Sequence, residues 1–215
     1  MLSEQLVKVC APVLRFYRNT VLLDMPQILD RLPKEGRLLD VGCFIGMLTY
    51  EIARKRPDLE IVGLDIEPRF VALAQRYHSL PNIRYETRAL QDITERFDCV
   101  LFSDVIHHVE PPNARSMLAH CERVLTPDGY ILVKEVARRW GQVGWFMDRY
   151  ISRSFPIYLR NPREFDELLP DHYQVAERAS RFRVPFPNYY LIIKPNGVHQ
   201  AAPQRELTMA PAGRR

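Results

Sequence analysis

The chain has 215 residues, of which 47% are hydrophobic and 26% are charged, and this ordinary balance excludes a chain that is disordered throughout. Its net charge of +4 comes without a dense basic run, which makes nucleic acid an unlikely partner. No apolar stretch reaches the roughly 20 residues that span a bilayer, and four widely spaced cysteines predict reduced thiols in a cytoplasmic protein rather than a disulfide framework.

Residues 1–35 carry apolar side chains at helical spacing, and Pro12 and Pro26 divide them into two or more predicted N-terminal helices. After Gly36, short apolar runs alternate with helical stretches. The predicted strands are residues 37–41, 60–64, 83–86, 97–102 and 130–136, and the predicted helices are residues 47–55, 69–78 and 114–124. This alternation predicts a mostly parallel sheet with helices on both faces.

The last third of the chain departs from this alternation. Residues 126–129, Thr-Pro-Asp-Gly, predict a turn before the fifth strand. Residues 137–172 contain no clear strand and many aromatic side chains, and we interpret them as an insert. Residues 174–184 and 189–194 predict two strands in a closing hairpin. The organisation is then one domain over residues 1–195, with a disordered tail over residues 196–215.

A glycine turn follows the first predicted strand, in the run LLDVGCFIG of residues 38–46. Gly42 and Gly46 allow the backbone to turn tightly and to approach a ligand closely. Asp65 ends the second strand, 19 residues after Gly46, where a carboxylate can accept hydrogen bonds from both hydroxyls of an adenosine ribose. Asp40 precedes the turn and suits a positively charged ligand better than a pyrophosphate. The alternative is that the glycines serve only the turn and that Asp65 caps the next helix.

Four segments in this order resemble the motifs of class I S-adenosylmethionine-dependent methyltransferases. They are LLDVGCFIG, GLDIEP, FDCVLFSDVIHHV and VLTPDGYILVKEV, and the similarity covers roughly residues 36–136. The resemblance implies an α/β fold with a Rossmann-like, seven-stranded, mostly parallel sheet. Its last strand would run antiparallel, helices would cover both faces, and a helical insert on the substrate side would follow the fifth strand.

The resemblance also implies where S-adenosylmethionine binds. Its methionine end would lie against Asp40 and the turn, formed by Gly42, Cys43, Phe44 and Gly46. Its ribose would contact Asp65, its adenine face Ile66, and its adenine amino group the segment of Leu90, Gln91 and Asp92. Ser103 would lie beside the transferable methyl group. Phe44 stands where the family usually has a third glycine, so its ring must point away from the cofactor.

His107 and His108 follow the fourth strand at the rim of the expected site. A histidine there can act as a general base for a hydroxyl acceptor, because its ordinary pKa lies near neutrality. The alternative is a capping or packing role. Glu135 and Asp148 are weaker candidates for a base. The remaining histidines are scattered singly, so the sequence predicts no metal site.

Three functional hypotheses follow. The first is methyl transfer to a small-molecule acceptor, with an apolar pocket lined by the aromatic insert and a carboxylate or phosphate held by Arg149, Arg153 or Arg160. The second is a catalytically silent member of the fold that binds a partner protein, which Phe44 favours. The third is a methyltransferase of RNA or protein, which the basic insert favours. The sequence leaves the oligomeric state open.

Overall fold

The computed structural model describes residues 22–137, 157–181 and 188–196. Seven strands form one sheet: β1 (Gly36–Val41), β2 (Leu59–Asp65), β3 (Ile83–Thr87), β4 (Phe97–Ser103), β5 (Leu125–Val136), β6 (Tyr173–Arg181) and β7 (Asn188–Pro195). The helices described are α1 (residues 22–29), α2 (Met47–Lys55), α3 (Pro68–Tyr77), α4 (Pro111–Val124) and α5 (Pro162–Asp166). No described helix has both the length and the apolar character needed to cross a membrane.

The order of the strands in the sheet is β3-β2-β1-β4-β5-β7-β6. Neighbours from β3 to β5 pair in parallel, whereas β7 pairs antiparallel with both β5 and β6. The predicted Rossmann-like sheet, its closing hairpin and its antiparallel last strand are therefore confirmed. The strand order reverses between β1 and β4, and a parallel sheet forms a ligand crevice at such a reversal, beyond the carboxyl ends of its strands.

Helices cover both faces of the sheet because its central strands are apolar on both sides. On one face, Leu38 and Leu101 pack with Ile28 of α1 and Ile52 of α2. On the other face, a second core contains alternate residues of the same strands together with α4 and Phe165 of α5; its strand members include Leu39, Val41, Val100, Phe102 and Val133. Strands buried on both faces are rigid, so the ends that carry polar side chains are fixed relative to one another.

The predicted starts of α4 and of β5 were wrong. Helix α4 begins at Pro111 rather than near residue 114, because proline fits the first turn of a helix, where its missing N–H has no partner to lose. Strand β5 begins at Leu125, so the predicted turn at residues 126–129 lies inside the strand. Leu125 pairs with Phe97 and the regular ladder resumes where Tyr130 pairs with Cys99, so an irregularity absorbs the turn residues.

The predicted helical insert is not confirmed. Within its described part, residues 157–172, the helix is the short α5. Asn161 and Glu164 form a reciprocal capping box at its N-terminus. Residues 138–156, which contain Asp148, Arg149, Arg153 and most of the insert's aromatic side chains, lie outside the described residues. The same holds for residues 1–21 of the predicted N-terminal helices, for residues 182–187 and for nearly all of the predicted tail.

A buried lysine ties α1 to the sheet at the carboxyl end of β5. Lys134, with 3% of its side chain exposed, contacts Asp104 and lies 3.4 Å from Asp24 of α1. Asp24 also accepts hydrogen bonds from Asn188 Nδ2 at 2.7 Å and from the Tyr190 hydroxyl at 2.9 Å. Although burial opposes the charge, the two carboxylates hold the pKa of Lys134 above its ordinary value. One cation therefore joins α1, β4 and β5.

Replacing Lys134 with alanine leaves the buried carboxylate of Asp24 and the partly exposed carboxylate of Asp104 without their cation. We expect Lys134→Ala to lower the free energy of unfolding by about 3–5 kcal/mol at pH 7, measured by urea denaturation. Lys194→Ala removes an exposed lysine from β7 and is the matched control, with an expected change within about 0.5 kcal/mol. Equal losses for the two variants would show that the buried ion pairs do not hold α1 in place.

Candidate functional site

The loop from β1 to α2 makes a tight turn next to the end of β2. Gly42, Phe44 and Gly46 have positive φ angles of 74°, 53° and 77°. The N–H groups of Gly42 and Cys43 both donate to the carbonyl of Leu64 at 2.8 Å, which fixes the turn to β2. The turn therefore lies at the carboxyl ends of two adjacent parallel strands, as the sequence predicted.

Glycine is required at both ends of this turn by close neighbours as well as by φ. A Cβ atom on Gly42 would lie 2.7 Å from a methyl group of Val105, and one on Gly46 would lie 2.6 Å from the Tyr85 hydroxyl. That hydroxyl donates to the carbonyl of Gly46 at 3.1 Å. The side chain of Cys43 is 5% exposed and packs in the core, so only its backbone is available to a ligand.

Phe44 adopts the left-handed conformation that glycine usually adopts at such a position. Its ring packs edge-on against Phe70 of α3, with centroids 4.3 Å apart and planes at 67°. Its N–H donates to Asp65 Oδ2 at 2.9 Å. The ring therefore lies against the first turns of α3 while the backbone faces the acid at the end of β2.

Asp65 is held by two backbone N–H groups. Besides the bond from Phe44, its Oδ1 accepts from the N–H of Glu67 at 2.9 Å. The N-cap of α3 is Glu67, whose own carboxylate accepts from the N–H of Arg69, so Asp65 is not the capping residue. Next to it, Ile66 is 75% exposed, an unusual state for a large apolar side chain. A fixed carboxylate beside an exposed apolar surface suits a nucleoside.

Asp40 lies in β1 just before the turn and is 2% exposed. It accepts a hydrogen bond from the Thr49 hydroxyl at 2.6 Å. Burial, partly offset by Thr49 and reinforced by the charge of Asp65, raises the pKa of Asp40 from 3.8 to about 6. A carboxylate that is costly to ionise in the free protein is stabilised when a cation arrives next to it. Sequence reasoning found Asp40 and missed Thr49, which is the third residue of α2.

The other predicted cofactor residues lie at the same edge of the sheet. Leu90, Gln91 and Asp92 form a single 3-10 turn after β3. The side chain of Leu90 is 3% exposed and belongs to the core, so this residue can meet a ligand only through its backbone, whereas Gln91 and Asp92 are exposed. Ser103 is half-buried at the end of β4.

His107 pairs with Glu135 across the ends of β4 and β5. Its Nδ1 contacts Glu135 Oε2, and the other oxygen, Oε1, accepts from the N–H groups of Ile106 at 2.7 Å and Val105 at 3.2 Å. Burial opposes ionisation of Glu135, but His107 and the Ile106 N–H outweigh it and hold the pKa of Glu135 below its ordinary value. The rings of His107 and His108 lie 4.2 Å apart. The contact with Glu135 is compatible with both predicted roles of His107, as a base and as a packing residue.

Asp104, His107 and Glu135 each offer one atom that could bind a metal ion, and these atoms lie within 4.8 Å of one another. Glu135 already bonds to His107, and Asp104 contacts the ammonium group of Lys134, which repels a second cation. We therefore interpret the group as a hydrogen-bonded network. The absence of a metal site stays a prediction. Sequence reasoning missed Asp24, Asp104 and Lys134, although a Lys-Glu pair inside an apolar strand is a visible signal.

Arg160, which the sequence suggested as a substrate ligand, is bound to the backbone. Its guanidinium donates to the carbonyls of Tyr158 at 3.0 Å, Ile106 at 3.2 Å and Val109 at 3.4 Å. Only 9% of the residue is exposed. It joins the described part of the insert to the 3-10 turn Ile106–His108, which favours a structural role over substrate binding.

Comparison with known proteins finds similarity to methyltransferases. Residues 39–131 match a family model described as a methyltransferase domain. The mitochondrial ubiquinone biosynthesis O-methyltransferase of Saccharomyces cerevisiae is 31% identical over 131 residues. That alignment covers 59% of this chain and 41% of the relative, so the chain spans well under two thirds of the relative's length.

Two solved structures share the fold at low identity. A protein from Pyrococcus horikoshii is 17% identical with a TM-score of 0.68, over 83% of this chain and 91% of that chain. The magnesium protoporphyrin IX methyltransferase of Synechocystis PCC 6803, solved with bound SAH, is 19% identical with a TM-score of 0.61, over 82% of each chain. Residues 39–131 thus match a methyltransferase domain, and the strand order with the antiparallel β7 makes the fold similar to that of class I, Rossmann-like, S-adenosylmethionine-dependent methyltransferases.

Proposed function

We propose that the protein transfers the methyl group of S-adenosylmethionine to a small-molecule acceptor. The observation that carries this proposal is the fixed carboxylate of Asp65 next to a left-handed glycine turn, at the point where the strand order reverses. The yeast relative, by its name, is an O-methyltransferase of ubiquinone biosynthesis, and the Synechocystis enzyme was solved with bound SAH. Both are consistent with this cofactor and this class of acceptor.

Each predicted cofactor residue would contact a different part of S-adenosylmethionine. Asp65 would bind the ribose hydroxyls, because each of its oxygens accepts only one described backbone bond and retains a further lone pair. Ile66 would pack on the adenine, and Gln91 and Asp92 would border its amino group. Asp40 and the turn Gly42–Gly46 would meet the methionine end, and Ser103 would lie beside the methyl group.

Methyl transfer to oxygen needs alignment and the removal of one proton. The sulfonium donor is itself reactive, so the protein must chiefly align oxygen, carbon and sulfur and exclude water. His107 is the residue that we propose as the base, since it lies in the 3-10 turn Ile106–His108, four residues beyond the carboxyl end of β4 at Ser103. A single domain over residues 1–195 and a cytoplasmic location are also parts of this proposal. The sequence alone leaves O-, N- and C-methylation open, and the name of the yeast relative supports O-methylation.

The catalytically silent alternative is not favoured. Its support was Phe44, yet the backbone N–H of Phe44 bonds to Asp65 and the ring packs on Phe70, so the residue forms part of the turn. The RNA or protein alternative rested on the basic insert, most of which lies outside the described residues.

The direct experiment incubates the protein with S-adenosylmethionine labelled in its methyl group and with a cell extract. We expect label in a small molecule, which mass spectrometry identifies. Label confined to RNA or protein would overturn the proposed acceptor class. A protein that neither transfers label nor binds the cofactor would overturn the proposal that it is a methyltransferase.

Asp65→Ala removes the proposed ribose ligand. We expect it to weaken binding of S-adenosylhomocysteine by about 10- to 100-fold, the loss of one or two hydrogen bonds to a charged group, as measured by calorimetry. Asp128→Ala, an exposed acid in the irregular part of β5, is the matched control and should bind as the parent does. Equal affinities for all three proteins would disprove the ribose assignment.

Asp40→Asn removes a buried carboxyl whose pKa lies near 6 in the folded state against an ordinary 3.8. The folded parent holds this proton more tightly than the unfolded chain, so Asp40 costs the parent stability as the pH rises from about 4 to above 6. We expect the ligand-free variant to become more stable than the parent over that range, by at most about 3 kcal/mol at pH 7.

Urea denaturation at several pH values between 4 and 7.5 measures this difference. The asparagine oxygen still accepts from Thr49, so the variant keeps its fold. A difference that does not change with pH would contradict the electrostatic role of Asp40. Weaker binding of S-adenosylmethionine by the stabilised variant would show that the carboxylate that destabilises the ligand-free protein binds the cationic ligand.

A further inference from the structure

We propose that His78 and Tyr85 are positioning residues for S-adenosylmethionine, because their side chains hold two consecutive carbonyl groups of the glycine turn in place. This inference rests on the proposed function, in which the turn Gly42–Gly46 meets the methionine end of the cofactor. Its observations are two contacts. His78 Nδ1 lies 2.7 Å from the carbonyl oxygen of Ile45, and the Tyr85 hydroxyl lies 3.1 Å from that of Gly46.

The carbonyl of Ile45 decides which ring nitrogen of His78 carries hydrogen. A carbonyl oxygen can only accept, so Nδ1 must donate to it, whether the ring is neutral or charged. The N–H of the same peptide group belongs to Gly46 and donates to the carbonyl of Cys43 at 2.9 Å. Because a peptide group is planar, hydrogen bonds on both of its sides fix the orientation of its plane.

The main chain holds His78 itself in place. Its N–H donates to the carbonyl of Ala74 at 2.8 Å at the end of α3, and its own carbonyl lies 3.0 Å from the Tyr85 hydroxyl. The residue is half-buried, and its ring lies 5.5 Å from the ring of Tyr50 in α2. His78 therefore reaches Ile45 from a backbone position that is fixed to both α3 and β3.

Tyr85 of β3 contacts the next carbonyl of the turn. Its hydroxyl has one hydrogen, which it shares between the carbonyls of Gly46 and His78. Burial raises the pKa of Tyr85, so the hydroxyl keeps this hydrogen at neutral pH. The carbonyl of Gly46 also accepts from the N–H of Tyr50 at 2.9 Å, in the first turn of α2. The start of α2 is thus fixed to β3.

These contacts bear on cofactor affinity because glycine loses more conformational freedom than any other residue when a chain is ordered. Without them, a turn with glycine at both ends would become fully ordered only on binding, and the ordering would weaken the affinity. His78 and Tyr85 order the turn in the ligand-free protein. They would therefore strengthen binding through the backbone of the turn.

Three variants test the proposal by calorimetry with S-adenosylhomocysteine. His78→Leu removes the ring donor and Tyr85→Phe removes the hydroxyl, and we expect each to bind about 5- to 10-fold more weakly, as the loss of one neutral hydrogen bond predicts. His78→Asn places an amide NH₂ group where Nδ1 lies and should restore the affinity of the parent. The control is Tyr130→Phe, which removes a hydroxyl that donates to the carbonyl of Arg31 at 2.6 Å, and it should bind as the parent does.

The ligand-free parent gives a readout that needs no variant to fold. Long-range ¹H–¹⁵N NMR at pH 8, on protein with ¹⁵N-labelled histidine and assigned resonances, reports which nitrogen of His78 carries hydrogen. We expect hydrogen on Nδ1, and a ring with hydrogen on Nε2 alone overturns the proposal. In His78→Leu, the N–H of Gly46 should exchange with solvent faster than in the parent, whereas the amides of β4 should keep their rates. A general loss of stability would instead accelerate both.

The outcomes separate this inference from the proposed function. A parent that binds no S-adenosylhomocysteine rejects the proposed function, and with it any role in positioning that ligand. A parent that binds, together with equal affinities for His78→Leu and Tyr85→Phe, rejects the role of His78 and Tyr85 alone. Equal losses of affinity in His78→Leu and His78→Asn would show that the imidazole ring matters rather than its hydrogen bond, which also overturns the proposal.

Discussion

The parallel pairing of β1 with β4 is the constraint on which the rest of the molecule depends. Leu38 to Val41 lie beside Cys99 to Phe102, and both strands are buried on both faces. From this centre the chain builds outward in opposite directions, to β2 and β3 on one side and to β5, β7 and β6 on the other. The strand ends therefore diverge on either side of a gap, and the polar residues at this edge lie in the last residues of the strands or directly after them.

The polar groups on the two sides of that gap are organised differently. On the β2 side, backbone N–H groups donate the hydrogen bonds that fix Asp65 and the glycine turn. The surface there is therefore rigid and depends on few side-chain donors. On the β5 side, Lys134 and Glu135 hold their neighbours through charge, in a buried network that reaches α1 and the 3-10 turn Ile106–His108. The first arrangement suits an invariant ligand such as a nucleoside, and the second suits the handling of a proton.

Much of the fold followed from the sequence, because strand-length apolar runs and a glycine turn are local signals. Helix α2 was predicted to the residue, and Asp65 and Gly46 were placed at one edge by topology alone. The start of β5 was missed because Thr126–Gly129 has turn chemistry that the pairing of Leu125 with Phe97 overrides. The buried contacts of Asp24, Asp104 and Lys134 were missed because they join residues up to 110 positions apart along the chain, a distance over which periodicity carries no information.

The reversed direction of β7 has a consequence for how such a protein can diversify. Because β7 runs against β5, its first residues, Asn188 and Tyr189, lie beside Val136 and Glu135, at the edge where the parallel strands end. The start of β7 thus lies on the side of the gap that carries Glu135, away from Asp65 at the end of β2. Under the proposed function, exchange of that segment offers a route to altered acceptor preference that leaves the proposed binding surface of the methyl donor intact.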